Sequence, residues 1–132
     1  NLFKSKPVST LKLWGRILSH LKEEADFVWA KVSLLDLEET NSHQNQINSV
    51  VDNLLKTISD FDFVVLISET IEQDMLVEIR SLTPNFDSLS IASYFGGGGS
   101  SQSSSFVFPI HSDFTEESDR VIEKIKDFIS QE

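Results

Sequence analysis

Cysteine is absent from this chain of 132 residues, which excludes structural disulfides, thiol catalysis and cysteine-held zinc. No apolar run reaches membrane-spanning length, and the N-terminus carries no signal-peptide hydrophobic region. The expectation is a cytoplasmic protein with no membrane partner. Positive charge is also scarce. The 11 Lys and Arg face 21 Asp and Glu, and the net charge of −10 argues against sequence-independent binding of a phosphate backbone through a basic face. Between Thr57 and Asp119 the only Lys or Arg is Arg80. Histidine is rare as well: His20, His43 and His111 lie far apart without ligand spacing, so no metal site is expected within this chain. No Ser-His-Asp arrangement has sequence support, and no catalytic residue is assigned. The chain begins with Asn1 rather than Met, as expected of a fragment of a longer polypeptide or of a trimmed terminus.

What remains is enough apolar residue for one core without staples. The spacing predicts a helix over Pro7 to Glu24, with Val8, Leu11, Trp14, Leu18 and Leu21 in a stripe that Leu13 and Ile17 widen. Phe27 to Val32 reads as a strand, and Leu34 to Asn45 as a polar turn leading into a helix. Ile47, Val50, Val51, Leu54, Leu55 and Ile58 give the cleanest helical period. Phe61 to Ile67 is a continuous apolar run, a buried strand, and after a turn at Thr70 to Asp74 the alternation of Met75, Val77 and Ile79 makes its hairpin partner. A short helix is expected over Phe86 to Phe95 with Gly96 as its C-terminal cap. Phe106 to Ile110 follows as a strand. Asp113 or Thr115 then caps a last helix carrying Val121, Ile122, Ile125, Phe128 and Ile129. The order α-β-α-β-β-α-loop-β-α describes an α/β fold: a mixed β-sheet covered by helices, in a single compact domain.

Four consecutive glycines, Gly96 to Gly99, precede a run of small polar residues, Ser100-Ser101-Gln102-Ser103-Ser104-Ser105. Glycines without Cβ let backbone N–H groups turn toward an anion and approach it closely. The same composition reads as a flexible tether. Only one strand and one helix follow it, about 27 residues, too few to bury a core alone, so the loop is expected inside one domain.

Two stretches carry a family likeness: Val77-Glu78-Ile79-Arg80-Ser81, and Leu89-Ser90-Ile91-Ala92-Ser93-Tyr94-Phe95-Gly96-Gly97-Gly98-Gly99. They resemble the C-terminal, DHH-associated domain of DHH-type phosphoesterases, in the oligoribonuclease and phosphoadenosine-phosphate phosphatase branch. There a strand ending in Arg-Ser precedes a helix ending in Ala-x-x-Phe, four glycines and a histidine. The likeness runs from about Leu11 onward and is specific only over Ile79–Gly99. The family's histidine is Ser100 here, its Ala-Ser-Gly region reads Ser103-Ser104-Ser105, and its Asp-His-His catalytic half is absent.

The resemblance implies residues 1–24 as a helix connecting from a missing N-terminal catalytic domain and residues 25–132 as the substrate-binding domain. It implies a parent hydrolase acting on short oligonucleotides or 3′-phosphonucleotides, with manganese held by the missing half and no cofactor in this fragment. The site residues it suggests are Arg80, Ser81, Gly96, Gly97, Gly98, Gly99 and Ser100, gripping a nucleotide or oligonucleotide phosphate. Plainer roles stand beside these. Arg80 can pair with Glu78, Ser81 can be an ordinary strand-end serine, the glycines can form a tight helix-to-strand passage, and the serines can be a solvated loop. Asp36, Glu38 and Glu39 read as solvated acids, and Trp14 and Trp29 as core. The alternative function is a non-catalytic nucleotide-binding or interaction module with a degenerate glycine loop.

Overall fold

Period-two alternation is the organising fact of this fold, because it gives the central sheet two apolar faces. The computed structural model describes residues 8–54 and 57–131. Its sheet has six strands in the order β1-β2-β3-β4-β6-β5. They are β1 (Lys22–Glu23), β2 (Phe27–Val32), β3 (Phe63–Glu69), β4 (Asp74–Ser81), β5 (Gly98–Gly99) and β6 (Ser103–Pro109). Only β2 and β3 pair in parallel; the other neighbours are antiparallel. The helices are α1 (Val8–Ser19), α2 (Leu34–Glu39), α3 (Ile47–Leu54), α4 (Ser88–Tyr94) and α5 (Phe114–Ser130).

On one face Phe27, Phe63, Val65, Ile67, Met75, Val77, Ile79 and Phe106 bury against Ile91 and Ala92 of α4 and Val121, Ile122 and Ile125 of α5. Phe128 and Ile129 pack against the same core. On the other, Ala30, Val32 and Leu66 bury against Leu13 and Ile17 of α1, Leu37 of α2, and Ile47 and Val51 of α3. This second core takes no residue from β4, β5 or β6. The sheet is therefore covered on both faces near β2 and β3, while the alternate positions of β4 and β6 lie beside the helix layer rather than within its core.

Four expectations are amended. The first helix ends at Ser19, and Lys22–Glu23 leaves it to pair with Val28 and Trp29 as an edge strand. Its core stripe is Thr10, Leu13 and Ile17, while Val8, Leu11 and Leu18 are exposed. Periodicity alone could not choose between two apolar stripes on one helix. The segment after β2 contains a further helix, α2. It starts in a capping box, where Ser33 Oγ accepts from the Asp36 amide at 3.0 Å and Asp36 Oδ2 accepts from the Ser33 amide at 2.9 Å. Part of the glycine run is itself an edge strand, β5, hydrogen-bonded along β6. Ile58 packs on the second core from beyond α3, and Leu55 lies outside the described residues. Asp113 is the cap of α5, accepting from the Glu116 amide at 2.7 Å. No helix among the described residues is long and apolar enough to cross a membrane.

Candidate functional site

The glycine run begins as a helix terminus. Gly96 has φ +83°, its N–H donates to Ser93 O at 3.0 Å, and the Gly97 N–H donates to Ala92 O at 2.7 Å. This pair of bonds satisfies the last carbonyls of α4 in the pattern that a left-handed residue permits. The chain then turns onto β6, pairing Gly98 with Ser105 and Gly99 with Ser104. The Ser100 N–H donates to Ser103 O at 2.7 Å and closes the hairpin. Bonded and non-bonded pairs alternate in an antiparallel ladder, so Gly98 exchanges bonds with Ser105 and the Gly99 N–H turns to the open edge. The amides of Gly96, Gly97 and Ser100 thus donate within the protein.

Register sorts the expected site residues onto two faces. Arg80 lies opposite Ser103, and Ser103 lies opposite Ser100 across the hairpin. Strands about 4.8 Å apart place Arg80 and Ser100 about 10 Å apart at Cα, within reach of a guanidinium. Glu78, Ser105 and Gly98 form the neighbouring row on the same face. Gly97, Gly99 and Ser81 face the other way. A Cβ at Gly97 would meet Ser105 O at 2.0 Å, and one at Gly99 would meet Ser103 O at 2.4 Å, whereas nothing lies within 4 Å of one at Gly98. The serines fasten the hairpin to α4. Ser81 Oγ lies 2.8 Å from both Phe86 O and Ser101 O, Ser88 Oγ donates to Ser100 O at 3.0 Å, and the buried Ser104 Oγ donates to Ser88 O at 2.8 Å.

Arg80 lines an open groove of about 590 Å3 together with Asp52, Ser81, Leu82, Thr83, Pro84, Gln102 and Ser103. Its Nη2 donates to Glu78 Oε2 at 3.2 Å. Asp52 carries no sequence signal for this site, since only the tertiary fold brings α3 to Arg80, whereas Thr83 follows Arg80 by three residues. Trp29 is core, its indole donating to Glu24 Oε2 at 2.9 Å. That bond, followed by Lys126, holds the Glu24 carboxyl below its ordinary range against the opposing effect of burial. Arg16 joins Asp36 and Glu39 at 3.0 and 2.7 Å, tying α1 to α2. No cluster of three or more His, Cys, Asp or Glu able to hold a metal occurs among the described residues.

Solved structures share this fold. An exopolyphosphatase-related protein from Bacteroides fragilis superposes with a TM-score of 0.77 at 21% identity, over 93% of this chain and 35% of that one. A pGpG-specific phosphodiesterase, PggH, from Vibrio cholerae gives a TM-score of 0.58 at 14% identity, over 93% of this chain and 39% of that one. The C-Ala domain of alanyl-tRNA synthetase from Aquifex aeolicus gives 0.55 at 13% identity, over 81% of this chain and 95% of that one. The chain thus spans little more than a third of the first two proteins. No family model and no curated protein matches it.

Proposed function

We propose that this chain is the substrate-binding domain of a DHH-type phosphoesterase and that its groove grips a nucleotide or oligonucleotide phosphate. The observation that carries the reading is the shared fold with parts of two larger proteins, one exopolyphosphatase-related and one a phosphodiesterase, in a chain where the sole Lys or Arg between Thr57 and Asp119, Arg80, lines a groove. The Arg-Ser and Phe-Gly-Gly-Gly-Gly segments support the oligoribonuclease and phosphoadenosine-phosphate phosphatase branch. Residues 1–24 then lead in from a catalytic domain, and residues 25–132 bind substrate. Arg80 supplies the fork of donors that matches phosphate oxygens. Gly98 offers a backbone surface without a side chain, and Ser100 stands at the end of the Arg80 row. Gly99 adds an edge N–H, while Gly96, Gly97 and Ser81 fix the hairpin on which these groups sit. The resemblance assigns a divalent metal, manganese, to the catalytic half. That metal would supply Lewis-acid activation of water there.

One charged contact with a few backbone bonds, opposed by an acidic surface, is worth about 4 kcal/mol or less, so binding by this domain alone is expected near millimolar. Titration with AMP and a short oligoribonucleotide, followed by amide shifts, tests it. Shifts are expected along Arg80, Gly98–Ser100 and Ser103, with most of the affinity lost in Arg80→Ala. Shifts clustered elsewhere, or unchanged in Arg80→Ala, would refute the site. The chain alone is expected not to hydrolyse a dinucleotide with added manganese; turnover abolished by a substitution within this chain would refute the division of labour.

A second reading, a non-catalytic binding or interaction module, is favoured by the C-Ala likeness. There the fold accounts for 95% of a chain that is a domain of a synthetase. Nucleotide shifts at Arg80 together with a metal-binding sequence upstream would count against it.

A further inference from the structure

The Arg80 that lines the groove already has an anionic partner. Glu78 precedes Arg80 by two positions on β4, so strand alternation puts both on one face. Its Oε2 accepts from Arg80 Nη2 at 3.2 Å, and the two side chains are only 9% and 15% exposed. The other terminal nitrogen, Nη1, reaches the Ile79 carbonyl at 3.4 Å. Asp52 lines the same groove from α3. Among the described residues no second cation lines it, so an arriving phosphate finds a guanidinium already paired with Glu78 and a further carboxylate, Asp52, in the groove.

Building on the phosphate-gripping reading above, we infer that Glu78 is an internal competitor for Arg80, displaced from the guanidinium whenever a phosphate binds. A phosphate taken bidentately needs the Nη2 that Glu78 holds, and two anions a few ångströms apart repel strongly where water is partly excluded. The groove therefore rejects small free anions. It favours a phosphate ester whose remaining atoms are held by further contacts, enough to overcome the exchange. A nucleotide monophosphate fits that chemistry better than inorganic phosphate does. Glu78 acts through Arg80 and is a positioning and selectivity residue.

The test uses the whole 132-residue chain with Glu78→Gln, Glu78→Asp, Arg80→Ala and Asp119→Asn. Asp119→Asn removes the same charge from an exposed site on α5, on the opposite face of the sheet. AMP and inorganic phosphate are titrated while the Nε–Hε resonance of Arg80, one of three arginines, is followed alongside the amides of β4 and β6. Glu78→Gln is expected to tighten AMP roughly five- to tenfold and phosphate by at least as much, and to shift the Arg80 resonance before any ligand is added. Glu78→Asp keeps the charge and should stay within about twofold of the original, as should Asp119→Asn. If binding vanishes in Arg80→Ala but Glu78→Gln merely matches Asp119→Asn, the competitor role is overturned and the groove survives. If no variant, Glu78→Gln included, shows ligand-dependent shifts at Arg80, both readings fail. Should Glu78→Gln lose its melting transition, Glu78→Thr, a strand-favouring residue without charge, carries the same comparison.

Discussion

Substituting alanine at each glycine of the run, one at a time, separates a built hairpin from a solvated tether. At Gly97 the new Cβ would lie 2.0 Å from Ser105 O and 2.6 Å from Phe106 Cβ. The carbonyl is part of β6, which pairs β4 on its other side, so neither neighbour gives way without moving the sheet. Overpacking against fixed backbone sets the cost at about 3 kcal/mol. Gly99→Ala meets Ser103 O at 2.4 Å and carries φ +135°, so its loss should be similar. Gly96 has open space but φ +83°, and alanine there costs about 1 kcal/mol from the left-handed conformation alone. Gly98→Ala meets nothing within 4 Å and should change stability by less than about 0.5 kcal/mol. A domain of this length unfolds with an entropy near 0.28 kcal/mol per degree, so the expected falls in Tm are about 10 °C, 10 °C, 4 °C and under 2 °C for positions 97, 99, 96 and 98. Thermal melts followed by circular dichroism, with urea curves to confirm unchanged m-values, measure the series. Four equal shifts, or a Gly98→Ala loss as large as that of Gly97→Ala, would refute the packing argument.

Removing Ser100–Glu132 takes away β6 and α5 and uncovers Met75, Val77, Ile79 and Ile91, so loss of the cooperative melt and aggregation are expected; an unchanged transition would contradict the fold. The buried Glu117 carboxylate accepts from the His111 N–H at 2.7 Å and from Arg120 Nε at 2.9 Å. Led by the His111 bond and opposed by burial, these contacts hold its pKa below the ordinary 4.5. A depressed pKa stabilises the fold above the unfolded value, and that contribution is lost as pH falls through the folded value. Glu117→Gln should therefore melt lower than the original at pH 7, with the gap closing as pH falls below 4.5 and through the lower folded value. A gap constant from pH 7 to pH 3 would show that the charge is not responsible. Gly98→Val should weaken AMP shifts at Arg80 while leaving the melt nearly intact, because the position is open on the groove side. A normal titration in that variant would remove Gly98 from the site.

The strands and most helices follow from the order of residues alone, because burial imposes a period and these residues keep it. Met75, Val77 and Ile79 alternate, Phe63 to Ile67 run unbroken, and Val121, Ile122 and Ile125 repeat at helical spacing into one core. The helix end at Gly96 and the helix start at Asp113 are equally local, since caps depend on nearby hydrogen bonds. The remainder depends on packing between distant segments. α1 offers two apolar stripes, and only packing on the sheet selected Leu13 and Ile17 over Val8, Leu11 and Leu18. The glycine run has almost no intrinsic preference, and its β5 conformation comes from pairing with β6. Strand register, set across three strands, put Gly98 and Ser100 on the side of Arg80 and turned Gly97 and Gly99 away. The pairing of Arg80 with Glu78 was open to a period-two reading of β4, but Asp52 and Gln102 join Arg80 only because separate elements converge there. Local periodicity is written into neighbouring residues, whereas a groove is the meeting of distant ones, and that meeting exists only once the sheet has chosen its order.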